Sequence, residues 1–245
     1  MFSRILTTAV LAGAGAGLVA ALLHLVFLQP VLLQAELYES GALTRPGADG
    51  SISAFRNLHG FQPLRDGLTA VFTMLLYGGY ALVAVALMSL ASARGAVIDA
   101  RRGILWGLAG FVAAQFAPGF SLAPEVPGAA AADLPVRQIW WMGTGAASAV
   151  ALWLIAFGTT WIARGAAILL LLAPHLIGAP RPEVMIGPAP TEVGALFAAR
   201  AFGVGMAAWV VLGSLAGHLW SREDARGCLA PQDGHATRWL VRRSR

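Results

Sequence analysis

The stretch ILTTAVLAGAGAGLVAALLHLVFLQPVLLQA, from Ile5 to Ala35, contains no Asp, Glu, Arg or Lys. A helix needs about 20 apolar residues to cross the hydrocarbon layer of a bilayer, and this run exceeds that. Four more uncharged runs follow: Gly67 to Ala93, Gly103 to Pro124, Gln138 to Ala163 and Ala201 to Ser221. A shorter one extends from Gly165 to Pro180. The chain therefore reads as an all-α integral membrane protein, a bundle of five to six transmembrane helices whose first partner is the lipid bilayer.

Composition supports that class. Of the 245 residues, 58% are hydrophobic and only 12% charged, about half the ~25% typical of a soluble domain. Residues 1–220 read as one transmembrane helical domain and residues 221–245 as a polar C-terminal tail. The net charge of +5 does not point to nucleic acid, because the arginines flank apolar runs and form no stripe. All seventeen basic residues are arginine. Without lysine there is no Walker A phosphate loop and no Schiff-base chemistry. The single cysteine, Cys228, excludes an internal disulfide or a Cys-x-x-Cys metal site. No Ser/His pair or His-Glu-x-x-His spacing suggests an intramembrane enzyme.

The expected spans are Ile5–Leu28, Gly67–Ala91, Gly103–Ala117, Gln138–Ile162 and Gly194–Trp220. The first is read as uncleaved, since its apolar run is too long for a signal peptide and ends in no small-x-small site. Pro30 should interrupt its hydrogen bonding, and the segment Pro118 to Pro135, with four prolines, should not form regular helix. Gly13 and Gly17, and Gly103, Gly107 and Gly110, lie at the spacing that lets helices approach closely in lipid. The run Gly165–Ile177 is short for a crossing, but Trp161 and Ile162 can lengthen it if Arg164 snorkels to the headgroups. Six crossings are preferred over five. With Arg4 inside, they also put Arg94 to Arg102, Arg164 and the arginine-rich tail inside, as the positive-inside rule requires.

The loop between the third and fourth spans is the most pointed stretch. Glu125 stands between Pro124 and Pro127, followed by Asp133, Arg137, Trp140 and Trp141. It reads either as an interfacial turn belted by tryptophans or as a carboxylate held at a pore mouth. Arg137 is expected to pair with an acid or a headgroup. Imidazole and carboxylate donors suit a divalent ion such as cobalt or nickel, with no need of thiolate. The candidate donors on the expected outer side are His24, His59 and His175 with Glu36, Glu39 and Glu125. His24 lies twenty residues beyond Arg4, about 30 Å at ~1.5 Å per residue, hence near the outer surface. His218 is expected at the inner interface and His235 in the solvated tail. Met74, Met88, Met142 and Met206 show no Met-x-x-Met clustering, which argues against copper.

SLAPEVPG, AADLPVRQIWW, APHLIGAP and QPVLLQAELYE resemble segments of the CbtA family of bacterial membrane proteins. The resemblance covers most of residues 1–220. It implies cobalt uptake linked to cobalamin synthesis, with Co²⁺ (or Ni²⁺) as cargo and no permanently bound cofactor. It also implies a small CbtB-like partner with one span and metal-binding histidines. The family is described with about five spans, one fewer than the residues suggest. The expected location is the bacterial inner (cytoplasmic) membrane. A non-transporting accessory subunit of a larger membrane complex is the alternative.

Overall fold

The computed structural model describes residues 2–43, 62–184 and 186–229; His59, His235 and most of the 221–245 tail lie outside them. Among the described residues all regular structure is helical. The helices are α1 (Phe2–Leu23), α2 (Gln29–Glu39), α3 (Pro63–Ser92), α4 (Ala100–Phe111), α5 (Ala117–Ser121), α6 (Leu134–Phe157), α7 (Trp161–Ile177) and α8 (Thr191–Leu229). A π-helical turn, His24–Leu28, joins α1 to α2, and another, Val112–Phe116, joins α4 to α5.

These two turns correct the expected ends of the first and third spans. The first span runs to Glu39, beyond Leu28, and the third runs through Pro118 to Ser121. A proline inside a helix lacks a donor, and its ring clashes with the carbonyl four residues back. Here each proline is the second residue after a π turn. The turn closes with Gln29 N–H on the His24 carbonyl and Ala117 N–H on the Val112 carbonyl. Each of those bonds spans five residues. The wider loop re-registers the backbone before the proline, and the helix continues.

Other boundaries shift modestly. α3 starts at Pro63, so Asp66 falls in its first turn. α6 covers Leu134–Phe157, and Trp161 and Ile162 open α7, which Thr160 caps by accepting from the Ala163 N–H at 3.2 Å. α8 begins at Thr191 and continues past Trp220.

Close backbone packing holds the bundle. A Cβ added at Gly13 would lie 2.7 Å from the Gly78 Cα, and one at Gly17 2.6 Å from the Met74 Cα. The seam between α4 and α8 is tighter. Added Cβ atoms at Gly103 and Gly107 would collide with the carbonyl oxygens of Gly213 and Trp209, and at Gly213 with that of Gly103. Around these seams lies a core of Ala9, Ala16, Val85, Met88, Trp209 and Leu212, all buried. Large side chains such as Leu11, Phe72, Leu75 and Leu169 point outward, as expected where the surroundings are lipid and not water.

The two ends of the bundle meet. Arg4 donates to the Trp220 carbonyl at 2.7 Å, stacks on the Trp220 ring at 3.8 Å and pairs with Glu223 at 3.6 Å. The start of α1 and the far part of α8 therefore share a face. Five helices are long and apolar enough to cross a membrane, and α7 is a shorter apolar helix. Its 17 residues reach only about 25 Å, yet it runs back along α6. It starts four residues after Phe157 and brings His175 beside Trp140 and Ser121. The segment from Gly178 to Pro190 then covers that end of the bundle, where Ala189 N–H donates to the Gly128 carbonyl at 3.2 Å.

The charges divide accordingly. One face carries Arg4, Arg94, Arg101, Arg102, Arg164 and Arg222 against Asp99 and Glu223. The other carries Glu36, Glu39, Asp66, Glu125, Asp133, Glu183 and Glu192 against Arg65, Arg137, Arg181 and Arg200. We refer to them as the arginine-rich and the acidic face.

Replacing Gly107 with Ala should lower stability by about 1–3 kcal/mol, because the new methyl meets backbone that cannot move aside. Gly79, which has open space around it, should accept Ala without loss. Denaturant titration of both variants in detergent micelles measures the difference; equal stability would show that the seam is not close-packed.

Candidate functional site

The acidic face is built on a cap of non-helical chain. Val126, buried, plugs a cluster formed by Val31, Ala35 and Tyr38 of α2 and Val193, Phe197 and Ala201 of α8. The chain then turns at Gly128, whose φ of +73° suits glycine. A Cβ added there would meet Pro188 at 3.1 Å and Glu39 Cβ at 3.2 Å. The loop is thus wedged between α2, α8 and the segment preceding α8, and Glu125 is held next to its anchor.

Glu125 forms an ion pair with Arg137 in the first turns of α6, and both side chains are one-quarter exposed. Burial pushes the Glu125 carboxyl above the usual glutamate range, while the Arg137 guanidinium pulls it the other way without fully compensating. The expectation that Arg137 finds an acid holds in this structure.

Arg137 and Trp140 are three residues apart and share a face of α6. Trp140 meets the His175 ring edge-on at 6.3 Å, and Phe120 meets it at 5.7 Å. The third contact is polar: His175 Nδ1 lies 2.7 Å from Ser121 Oγ. Glu125 and His175 therefore bracket the start of α6, one through Arg137 and the other through Trp140. Trp141, on the adjacent side, lines an apolar cavity of about 930 Å³ bounded by α3, α4, α6 and α8. Trp106, Trp153, Trp209 and Tyr80 also line it, and Arg102 lies at its edge.

The other candidate donors are more dispersed. His24 opens the first π turn and is half-buried. Glu36 and Glu39 are exposed on α2, and Glu39 lies against Gly128 of the loop bearing Glu125. His59 lies outside the described residues. Among the described residues, no three His, Cys, Asp or Glu side chains come together as a ready-made metal site. The chain presents donors on one face, but singly or in pairs with other groups.

Sequence reading missed two polar features. Asp66, buried, accepts from Gln29 Nε2 at 2.7 Å, Arg65 Nε at 2.9 Å and the Gln62 N–H at 3.0 Å. It ties the start of α3 to the start of α2. Its place at the border of an uncharged run made it look like a loop residue. The other is Ser121, a small hydroxyl residue with no distinguishing pattern around it. Arg200 donates to the Phe27 carbonyl at 3.0 Å within the first π turn.

The model of one protein family, described as the probable cobalt transporter subunit CbtA, matches residues 2–221. The chain belongs to the CbtA family. The match begins at the first residue of α1 and ends just after Trp220. No curated protein and no solved structure matches. Membership fits the geometry of a multi-pass membrane protein whose polar groups gather on one face. In this CbtA-family chain the segments SLAPEVPG, AADLPVRQIWW and APHLIGAP supply Ser121, Glu125, Arg137, Trp140 and His175. They are the parts that meet at the acidic face.

Replacing Arg137 with Gln removes the cation that holds the Glu125 carboxyl down, leaving burial alone to act on it. The carboxyl should then titrate at higher pH than in the parent chain. The carboxyl stretch in infrared spectra, followed against pH and assigned with Glu125→Gln, reads the change. An unchanged titration would show that the ion pair has no hold on Glu125.

Proposed function

We propose that the chain carries a divalent transition metal ion, Co²⁺ or else Ni²⁺, across the bacterial inner (cytoplasmic) membrane in support of cobalamin synthesis. The observation that carries this reading is the placement of Glu125 and His175 on either side of the start of α6, on the acidic face. An oxygen and a nitrogen donor together suit an ion of intermediate softness. With the arginine-rich face inside, the acidic face looks outward and attracts cations. An inside-negative potential then favours inward movement by about 2.3 kcal/mol per charge per 100 mV.

In this mechanism the ion is the cargo, and no cofactor stays bound. Glu36, Glu39 and His59 raise its concentration at the outer face. Glu125 exchanges the Arg137 guanidinium for the metal. That exchange requires the carboxylate form, so capture weakens as pH falls through the raised Glu125 range, at higher pH than for an exposed glutamate. His175 takes the ion next, and His24, half-buried in the first π turn, receives it deeper in the bundle. Trp140 shields His175, and Trp141 belongs to the wall of the adjoining cavity.

Neither residue pair fills a metal's coordination shell, so water and another subunit supply the rest. A small single-span, histidine-bearing partner of the CbtB type meets that need. The long apolar cavity between α3 and α6 offers room for such a helix. No step in this scheme is catalytic.

The lack of a three-donor cluster among the described residues favours one other reading, that of a non-transporting accessory subunit around which a metal-handling complex assembles. Uptake of labelled cobalt and nickel separates the two. Cells expressing the chain should accumulate more ion than cells lacking it. His175→Ala and Glu125→Ala should each reduce the excess about tenfold or more at equal membrane abundance. Excess uptake that persists in both variants would remove these residues from the path. No excess in the parent would favour the accessory role.

A further inference from the structure

We infer that Ser121 is a positioning residue for His175: it accepts a hydrogen bond from Nδ1–H and so leaves Nε2 as the open donor. The inference rests on the proposed role of His175 as a metal ligand and names the atom that would do the work.

Three observations support it. The Ser121 Oγ to His175 Nδ1 distance is 2.7 Å, which fixes the ring against the end of α5. Phe120 and Trp140 pack against the ring edge-on, at 86° and 72°, so that it is walled on both sides by aromatics. Phe120 has no hydrogen-bonding group, and the indole N–H of Trp140 makes no hydrogen bond, so neither occupies the ring's remaining nitrogen. The third observation is how Ser121 comes to be there. It lies three residues beyond Pro118, in a helical turn that exists only because the Val112–Phe116 π turn lets the helix pass the proline. The Leu122 N–H then closes that turn on the Pro118 carbonyl at 3.1 Å.

The direction of the hydrogen bond decides the chemistry. If the hydroxyl donated to Nδ1, the proton would sit on Nε2, and no lone pair would face the acidic side. If Nδ1–H donates to the hydroxyl oxygen, Nε2 keeps its lone pair and can bind a metal. Metal-binding histidines commonly donate their other ring N–H to a neighbour, which sets tautomer and orientation, and loss of that neighbour weakens affinity about 10–100-fold. Ser121 occupies the place of such a neighbour.

Two measurements on the full chain in lipid nanodiscs or cells test this. Nitrogen-15 NMR of labelled histidine, with His175→Ala for assignment, should show Nε2 of His175 unprotonated in the parent at neutral pH. Ser121→Ala should lose that preference and Ser121→Thr should keep it. Labelled cobalt uptake, normalised to membrane abundance, should fall about tenfold in Ser121→Ala and stay near the parent level in Ser121→Thr. A protonated Nε2 in the parent would overturn the inference, whatever the uptake. So would full uptake in Ser121→Ala alongside loss in His175→Ala. Full uptake in His175→Ala would instead overturn the ligand role of His175, while the tautomer measurement still reports whether Ser121 sets the ring.

Discussion

Within a bilayer every backbone N–H and C=O must find a partner inside the protein, because the surroundings offer none. This structure depends on how that constraint is met at Pro30 and Pro118. Either residue, placed in an unmodified helix, would leave a carbonyl without a donor and force a break. The π turns before them change the register, and Arg200 reaches over from α8 to the Phe27 carbonyl within the first of them. Both long helices therefore survive past their prolines to the acidic face. There α2 forms one wall of the pocket for Val126, and α5 delivers Ser121 and Phe120 to His175.

The same constraint explains how tightly the helices approach. Apolar side chains gain little from leaving lipid for one another, so contact area between backbones has to provide the cohesion. Gly103, Gly107, Gly213 and Gly217 let α4 and α8 touch along their backbones, and Gly13 and Gly17 do so for α1 and α3. The large aliphatic residues are left to face outward. Trp209 fills the one broad gap at the α4–α8 seam, lying against Gly110 and stacked with Tyr80 at 4.9 Å.

Much of this was legible in the chain. Uncharged runs gave the helical class and the five long spans, small-residue spacing gave the seams, and arginine placement gave the two faces. Arg137 was expected to pair with an acid or a headgroup, and it meets Glu125. The readings that failed share a cause: they treated each proline and each charge as a local signal. Pro30 and Pro118 read as helix ends because a π turn has no sequence signature of its own. Asp66 read as loop because its partner Gln29 is 37 residues away. Ser121 could not be singled out, since what distinguishes it is a histidine 54 residues later. Long-range partnership, invisible to periodicity, decides all three.

The contact of Arg4 with Trp220 and Glu223 has a consequence for biogenesis. α8 is the last helix of the bundle to leave the ribosome, yet it is the element that touches α1, α2, α3 and α4. Until it inserts, α1 with α3 and α4 with α6 and α7 are two loosely associated halves whose glycine grooves face bare lipid. The keystone arrives after the helices it joins, so until α8 inserts the cell holds a half-assembled membrane intermediate, open to surveillance by quality-control proteases.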